Sequence, residues 1–365
     1  MRKIAREVLE PGTLSAAILL SLRLRSTHMP ARPSVRLIAR LFAAAMLAAL
    51  FAQSPALHAQ TKSISIIVFP GGFNWPIWVA QQKGYFSQNG IDVNLTNTPN
   101  SVFQLTGLIE SRFDIAMTAI DNVVAYMEGQ GEARPNRQPD IFAFMGGDNG
   151  FLSLVTVPEV KTYADLKGRT VSVDALTTGY AFVLLDLLDR AGLKPGDFQV
   201  VQAGGVLQRW DELKQRKQAG TMLITPFDIM AQAAGFNVLQ RAIDVYGRYQ
   251  GLVGATRRDW ASSNAKTLQD FIRAYVQAVD WLGNPANRDE AISILREHLQ
   301  QMSPELAAKT YTMLAPPQGF TAKARIDMEG LNTVLRLRSR YGEPKKMLSD
   351  PTRYVDLKYY DAATR

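Results

Sequence analysis

The stretch that decides the fold is residues 64–95, ISIIVFPGGFNWPIWVAQQKGYFSQNGIDVNL. ISIIVF (64–69) is a short apolar, β-branched run of the kind that forms strands, and Pro70-Gly71-Gly72 breaks it. Asn74 can cap a helix, Pro76 suits its first turn, and WPIWVAQQKG carries apolar residues at helical spacing. Gly84 stops that helix, and Asn89-Gly90 turns the chain into a second strand, IDVNL (91–95). This strand–helix–strand unit predicts a parallel α/β sheet. The Gly-Gly break lies at the carboxyl end of the first strand, where open α/β sheets bind ligands.

Upstream, residues 1–59 do not read as fold. From Met29 the chain runs MPARPSVRLIARLFAAAMLAALFAQSPALHAQ. Arg32, Arg36 and Arg40 form a positive region, Leu41–Ala52 a short apolar core, and Ser54 to Ala59 a cleavage window of small residues. That is an export signal, and the apolar run is shorter than the roughly 20 residues a bilayer requires. Met29 is the expected start and residues 1–28 a misassigned extension; a long positive region that includes Arg23 and Arg25 is the alternative.

Composition narrows the function. The chain has 365 residues with 41 Lys/Arg and 33 Asp/Glu, a net +8. Eight of the basic and two of the acidic residues lie in 1–59, leaving 33 against 31. The remainder is near neutral, so no nucleic-acid partner is expected. Cysteine is absent, which excludes a disulfide scaffold, a thiolate metal site, a cysteine nucleophile and a lipid-anchored lipoprotein. A protein free in the periplasm is the expectation.

Downstream, FDIAMTAI (113–120) and IFAFM (141–145) continue the strand rhythm, and FLSLVTV (151–157) starts a fresh one. RTVSVDA (169–175), DFQVVQAG (197–204), TMLIT (221–225) and 236–239 read as strands, separated by helices at 180–192, 209–218 and 226–234. LVGATRRDW (252–260) reads as a strand that crosses back. Helices are expected at 264–283, 288–300, 304–314 and 324–341, and residues 343–365 as a polar, tyrosine-bearing tail wrapped on the surface. The organisation is α/β with two lobes, 60–151 plus 249–365 and 152–248.

Catalytic machinery is thin. His28 and His58 lie in the leader, and His298 sits among Arg, Glu and Gln. No zinc-spaced histidine pair, Gly-x-Ser-x-Gly elbow or phosphate loop occurs, and no cofactor or metal site is expected. What recurs is the strand-to-helix junction. Gly72-Phe73-Asn74-Trp75, Asp121-Asn122, Thr177-Thr178-Gly179-Tyr180 and Thr225-Pro226-Phe227-Asp228 each place a capping residue or proline where free N–H groups gather. Gly147-Asp148 follows the fourth strand. All α/β folds need such caps. Four of them divided between two lobes point to a shared pocket. Trp78 and Phe86 read as core, whereas Phe73, Trp75 and Tyr180 stand between pocket and core. No Arg or Lys occupies a junction, so the expected ligand is a flat or partly apolar organic molecule rather than a simple inorganic anion.

Taken in order, PIWVAQQKGYFSQNGIDVNL, ESRFDIAMTAID, YADLKGRTVSVDALTTGYAFVLLDLLDRAGL and QAGTMLITPFDIMAQAAGFNVL resemble the substrate-binding proteins of ABC importers of the nitrate/sulfonate/taurine and pyrimidine-precursor type. Ala80, Gly84, Phe86, Gly90 and Val93 carry one family signature, and Asp165, Leu166, Gly168 and Arg169 another. The resemblance implies a type II periplasmic-binding fold, two α/β lobes closing on a small-molecule ligand, an ABC permease in the inner membrane as partner, a monomer, and no catalysis. Sulfonate-type members carry a basic or imidazole side chain where this chain reads Thr177-Thr178-Gly179-Tyr180. A periplasmic enzyme or a ligand-sensing protein on the same fold is the alternative.

Overall fold

The computed structural model describes residues 61–365. The expected leader, its cleavage window and the start at Met29 lie outside the described residues. Among the described residues, ten strands form two five-stranded sheets. The first holds β1 (Lys62–Val68), β2 (Ile91–Asn97), β3 (Ile115–Ala119), β4 (Ile141–Gly146) and β10 (Leu252–Arg257), in the order β2-β1-β3-β10-β4. The second holds β5 (Leu152–Thr156), β6 (Thr170–Val173), β7 (Gln199–Gln202), β8 (Gly220–Ile224) and β9 (Asn237–Arg241), in the order β7-β6-β8-β5-β9.

Strands β1, β2 and β3 are parallel, as the strand–helix–strand pattern requires. One strand in each sheet runs against its neighbours, β10 in the first and β5 in the second. These are the strands that begin just after the chain passes from one sheet to the other. Every residue of β4, β5 and β10 is buried. Strands covered on both faces read as continuous apolar runs, even β4 at the edge of its sheet, which is why IFAFM and FLSLV show no alternation.

The helices named below are α1 (Trp75–Gln82), α2 (Ser101–Ile109), α3 (Ile120–Met127), α4 (Gly179–Arg190), α5 (Val206–Lys214), α6 (Phe227–Ala233), α7 (Ala265–Gly283), α8 (Arg288–His298), α9 (Pro304–Leu314) and α10 (Met328–Tyr341). Helix α7 buries Leu268, Phe271, Ile272, Tyr275, Val279 and Leu282, an apolar stripe at helical period. Phe271 stacks on Phe86 and meets Phe144 edge-on, joining α7 to the first sheet. Helix α10 packs on both α3 and α4 and so touches helices of both sheets.

One expectation needs correction and one needs refinement. Residues 343–365 lie mostly on the surface, as expected, but are pinned there: Tyr354, Tyr359 and Tyr360 are buried, the Tyr354 hydroxyl donates to Glu128 at 2.9 Å, and Val355 bridges to Ala143 of β4. Aromatic rings supply the apolar area that the tail's charged residues disguise. Helix α3 begins at Ile120, one residue before Asp121, so Ala119 and not Asp121 holds the capping position.

Candidate ligand cavity between the two sheets

The carboxyl ends of parallel strands from both sheets converge on one cavity of about 60 Å³. Phe69 follows β1, Ala119 ends β3, Asp148 follows β4, Asp174 follows β6 and Ile224 ends β8. Leu252 and Phe151 stand at the beginnings of β10 and β5, which run the other way and reach the same edge. The cavity thus sits where an open α/β sheet offers its crevice, with two sheets contributing. Phe69, Phe73, Phe151, Tyr180, Val206, Ile224 and Leu252 make most of its wall apolar, which suits a small organic guest.

Three charged side chains line it. Asp148 is buried, and its Oδ1 accepts the Gly150 N–H at 2.8 Å and the Leu252 N–H at 2.9 Å. Burial pushes its carboxyl up to about 6, with the two backbone donors pulling the other way. Asp174 is buried, and its Oδ2 accepts the Ser101 N–H at 3.2 Å. Arg209 is buried on α5, where desolvation lowers its pKa; its Nε and Nη2 donate to the Met222 carbonyl at 3.2 and 3.1 Å, and its Nη1 donates to the Gly204 carbonyl at 2.6 Å. Tyr180 presents a phenol whose pKa burial raises, with the nearby Asp148 charge adding to the effect.

Of the junction residues expected at a site, Phe73, Asn122, Asp148, Thr178, Gly179 and Tyr180 line the cavity. Thr178 caps α4 by accepting the Ala181 N–H and donates to the Ala175 carbonyl. Asn122 donates to the Thr118 hydroxyl at 3.0 Å. Gly179 is fixed by a close approach: a Cβ there would fall 2.5 Å from Asp121 Cγ.

The other expected residues do not line it. Trp75 is fully buried, with its indole N–H donating to the Ala291 carbonyl at 3.1 Å and its ring edge-on to Tyr311. Phe227 is likewise core. Asp121 faces Arg338 of α10 rather than the cavity. Asn74 turns back to the Phe69 carbonyl at 2.6 Å, and Gly72 and Gly147 pack against Pro226 and Leu252. Thr177 is tied through its N–H and hydroxyl to Glu132. Thr225 is buried and donates its N–H to the Phe151 carbonyl, and Asp228 accepts the Ser153 hydroxyl at 2.9 Å, its pKa raised by burial. A position at a helix start does not say which way the side chain turns, because the packing and pairing partners that decide it lie in other elements of the chain. His298 lies flat on Trp78, ring centroids 4.2 Å apart, outside the cavity wall.

Sequence reasoning missed Asp174 and Arg209. Arg209 carried a signal: it falls on the face of α5 that buries Val206, Trp210 and Leu213. A charge on an apolar stripe is either paired or functional. It lies outside the four junctions, which hold no Arg or Lys, and still brings a cation into the cavity wall, although three of its donors are spent on carbonyls. Among the described residues no group of three or more His, Asp or Glu is placed to hold a metal, and no helix is long and apolar enough to cross a membrane.

Solved structures share this architecture. A protein of Bordetella bronchiseptica RB50 superposes with a TM-score of 0.70 at 19% identity, covering 83% of this chain and 97% of that one. The zinc-bound ligand-binding component of an ABC-type import system from Staphylococcus aureus gives 0.66 at 15% identity, covering 83% and 99%. The alkanesulfonate-binding protein SsuA of Xanthomonas axonopodis pv. citri, bound to MOPS, gives 0.63 at 14% identity, covering 79% and 95%. At these identities the likeness establishes the fold, that of the periplasmic binding proteins. No curated protein sequence matches the chain. The model of the NMT1/THI5-like family matches residues 74–287, more than half of the sequence, and the chain belongs to that family.

Proposed function

We propose that this protein is a periplasmic solute-binding protein that captures one small organic molecule between two lobes and delivers it to an ABC permease in the inner membrane. The lobes would be 60–151 with 249–365, and 152–248. The observation that carries the reading is the shared cavity, whose wall takes residues from the strand ends of both sheets. Such a wall is complete only when the sheets are together, so a guest held there favours the closed arrangement. The resemblance of the neighbours' described roles, ligand binding for import, supports the same reading.

The lining supports binding rather than turnover. It contains no Ser, His or Lys, and its one hydroxyl on a Thr is engaged as a helix cap. Nucleophilic catalysis needs a nucleophile next to a base. Export and solubility in the periplasm, as a monomer, complete the proposal.

The test is a thermal-shift screen of the chain from residue 60 onward, followed by mass spectrometry of the bound compound. A stabilising compound recovered unchanged after prolonged incubation supports capture. Its conversion to product would overturn the reading in favour of an enzyme.

A further inference from the structure

Asp174 is a buried carboxylate with a hydrogen-bond partner on only one of its two oxygens. It follows β6 of the second sheet and is 6% exposed. Oδ2 accepts the backbone N–H of Ser101, the first residue of α2, which belongs to the first sheet's half of the chain. Oδ1 has no hydrogen-bond partner among the described residues, and Asp174 forms part of the cavity wall. A buried acceptor left without a donor carries a desolvation cost that nothing in the chain returns.

The one cation in the wall does not complete Oδ1. Arg209 lines the same cavity and feels the Asp174 charge, but the bonds its guanidinium makes go to the Met222 and Gly204 carbonyls, and none reaches Oδ1. The second cavity carboxylate, Asp148, takes its donors from Gly150 and Leu252. Two carboxylates and one arginine thus border a single space walled also by Phe69, Phe73 and Phe151. Aromatic faces and unsatisfied carboxylate oxygen both favour N–H donors and positive charge, and both disfavour an acid group.

Building on the solute-capture reading, we propose that the cavity selects a small organic molecule that donates an N–H to Asp174 Oδ1, is neutral or cationic, and carries no acid group. The same carboxylate holds the N-terminus of α2 through Oδ2. Asp174 thereby couples occupancy of the cavity to the contact between the two halves. A guest that completes Oδ1 fixes the carboxylate orientation that Ser101 requires.

Two size-matched probe pairs test this: guanidinium against nitrate, and benzamidine against benzoate, each by thermal shift and calorimetry at millimolar concentration. Stabilisation by either cation without its anionic partner is the expected result. Asp174→Asn keeps an oxygen for Ser101 but turns an amide N–H toward the guest, and should weaken the cation at least tenfold. Ser101→Pro removes the donor to Oδ2 at a helix position that tolerates proline, without altering the cavity wall, and should weaken the cation several-fold. Binding of benzoate or nitrate in place of the cations, or cation affinity unchanged in both variants, would overturn the assignment while leaving solute capture standing. If neither these four probes nor a library of several hundred metabolites stabilises the protein, the assignment and the capture reading both fall.

Discussion

Arg338 of α10 donates its Nε to Asp121 Oδ1 at 2.6 Å and its Nη2 to Asp121 Oδ2, with both side chains out of contact with solvent. The same Nη2 reaches the Thr177 carbonyl at 2.6 Å, and the guanidinium lies 4.7 Å from the centre of the Phe182 ring. One side chain therefore joins α3, α4 and α10 where the two sheets meet. Beside it Gly179 leaves room for Asp121, so the pair and the close approach depend on each other.

Breaking that pair on one side leaves a buried charge without its partner. Arg338→Ala is expected to cost about 3–5 kcal/mol, read as a shift of the urea midpoint. Removing both partners together, Asp121→Leu with Arg338→Met, should cost less than the two single changes added. Strict additivity would show that the charges act independently.

Asp148 makes stability depend on pH. Burial pushes its folded carboxyl up to about 6, above the ordinary value of 3.8. A raised acid is favourable while protonated, so its contribution is fullest below 3.8 and is lost as pH rises through about 6. Asp148→Asn keeps the acceptor for Gly150 and Leu252 but cannot ionise. From pH 4 to pH 7 the variant should gain on the wild type by up to about 3 kcal/mol, two pKa units at 1.36 kcal/mol each. Parallel stability curves would remove Asp148 as the titrating group.

Trp75 and Tyr180 looked alike in the sequence and part company in the fold. Trp75→Ala should lose about 3–5 kcal/mol of stability, since a buried ring and its hydrogen bond to Ala291 go together. Tyr180→Ala should instead weaken the guest by about 1–3 kcal/mol, because its ring lines the cavity. Calorimetry alongside thermal melts separates the two effects; a reversal of the pattern would exchange their roles.

The strands and helices were legible because apolar runs and their Gly/Pro breaks are local. The run at 64–95 needs nothing beyond its own residues to declare a strand, a helix and a second strand. Pocket membership was legible only in part. Phe73, Asn122, Asp148 and Thr178 to Tyr180 line the cavity, while Asp121 meets a partner 217 residues away. Asp174 gave no sign of itself, since its contact with Ser101 spans 73 residues. Arg338 could have been found: it continues the buried row of Leu331 and Val334 on α10, where a charge requires a partner. The tail's position on the surface was legible but its anchoring was not, because its buried tyrosines sit among charged residues.

The leader predicts a mature chain beginning near Leu57 or Gln60. Edman or mass-spectrometric sequencing of protein recovered from the periplasm reads it directly. A chain that keeps residues 29–56 in the membrane fraction would contradict export by cleavage.

The central claim, capture between two closing lobes, is tested most directly by small-angle X-ray scattering of the protein with and without a stabilising compound. The account predicts a smaller radius of gyration in the bound state, because the cavity wall takes residues from both sheets. Saturated one-to-one binding with an unchanged radius would contradict it.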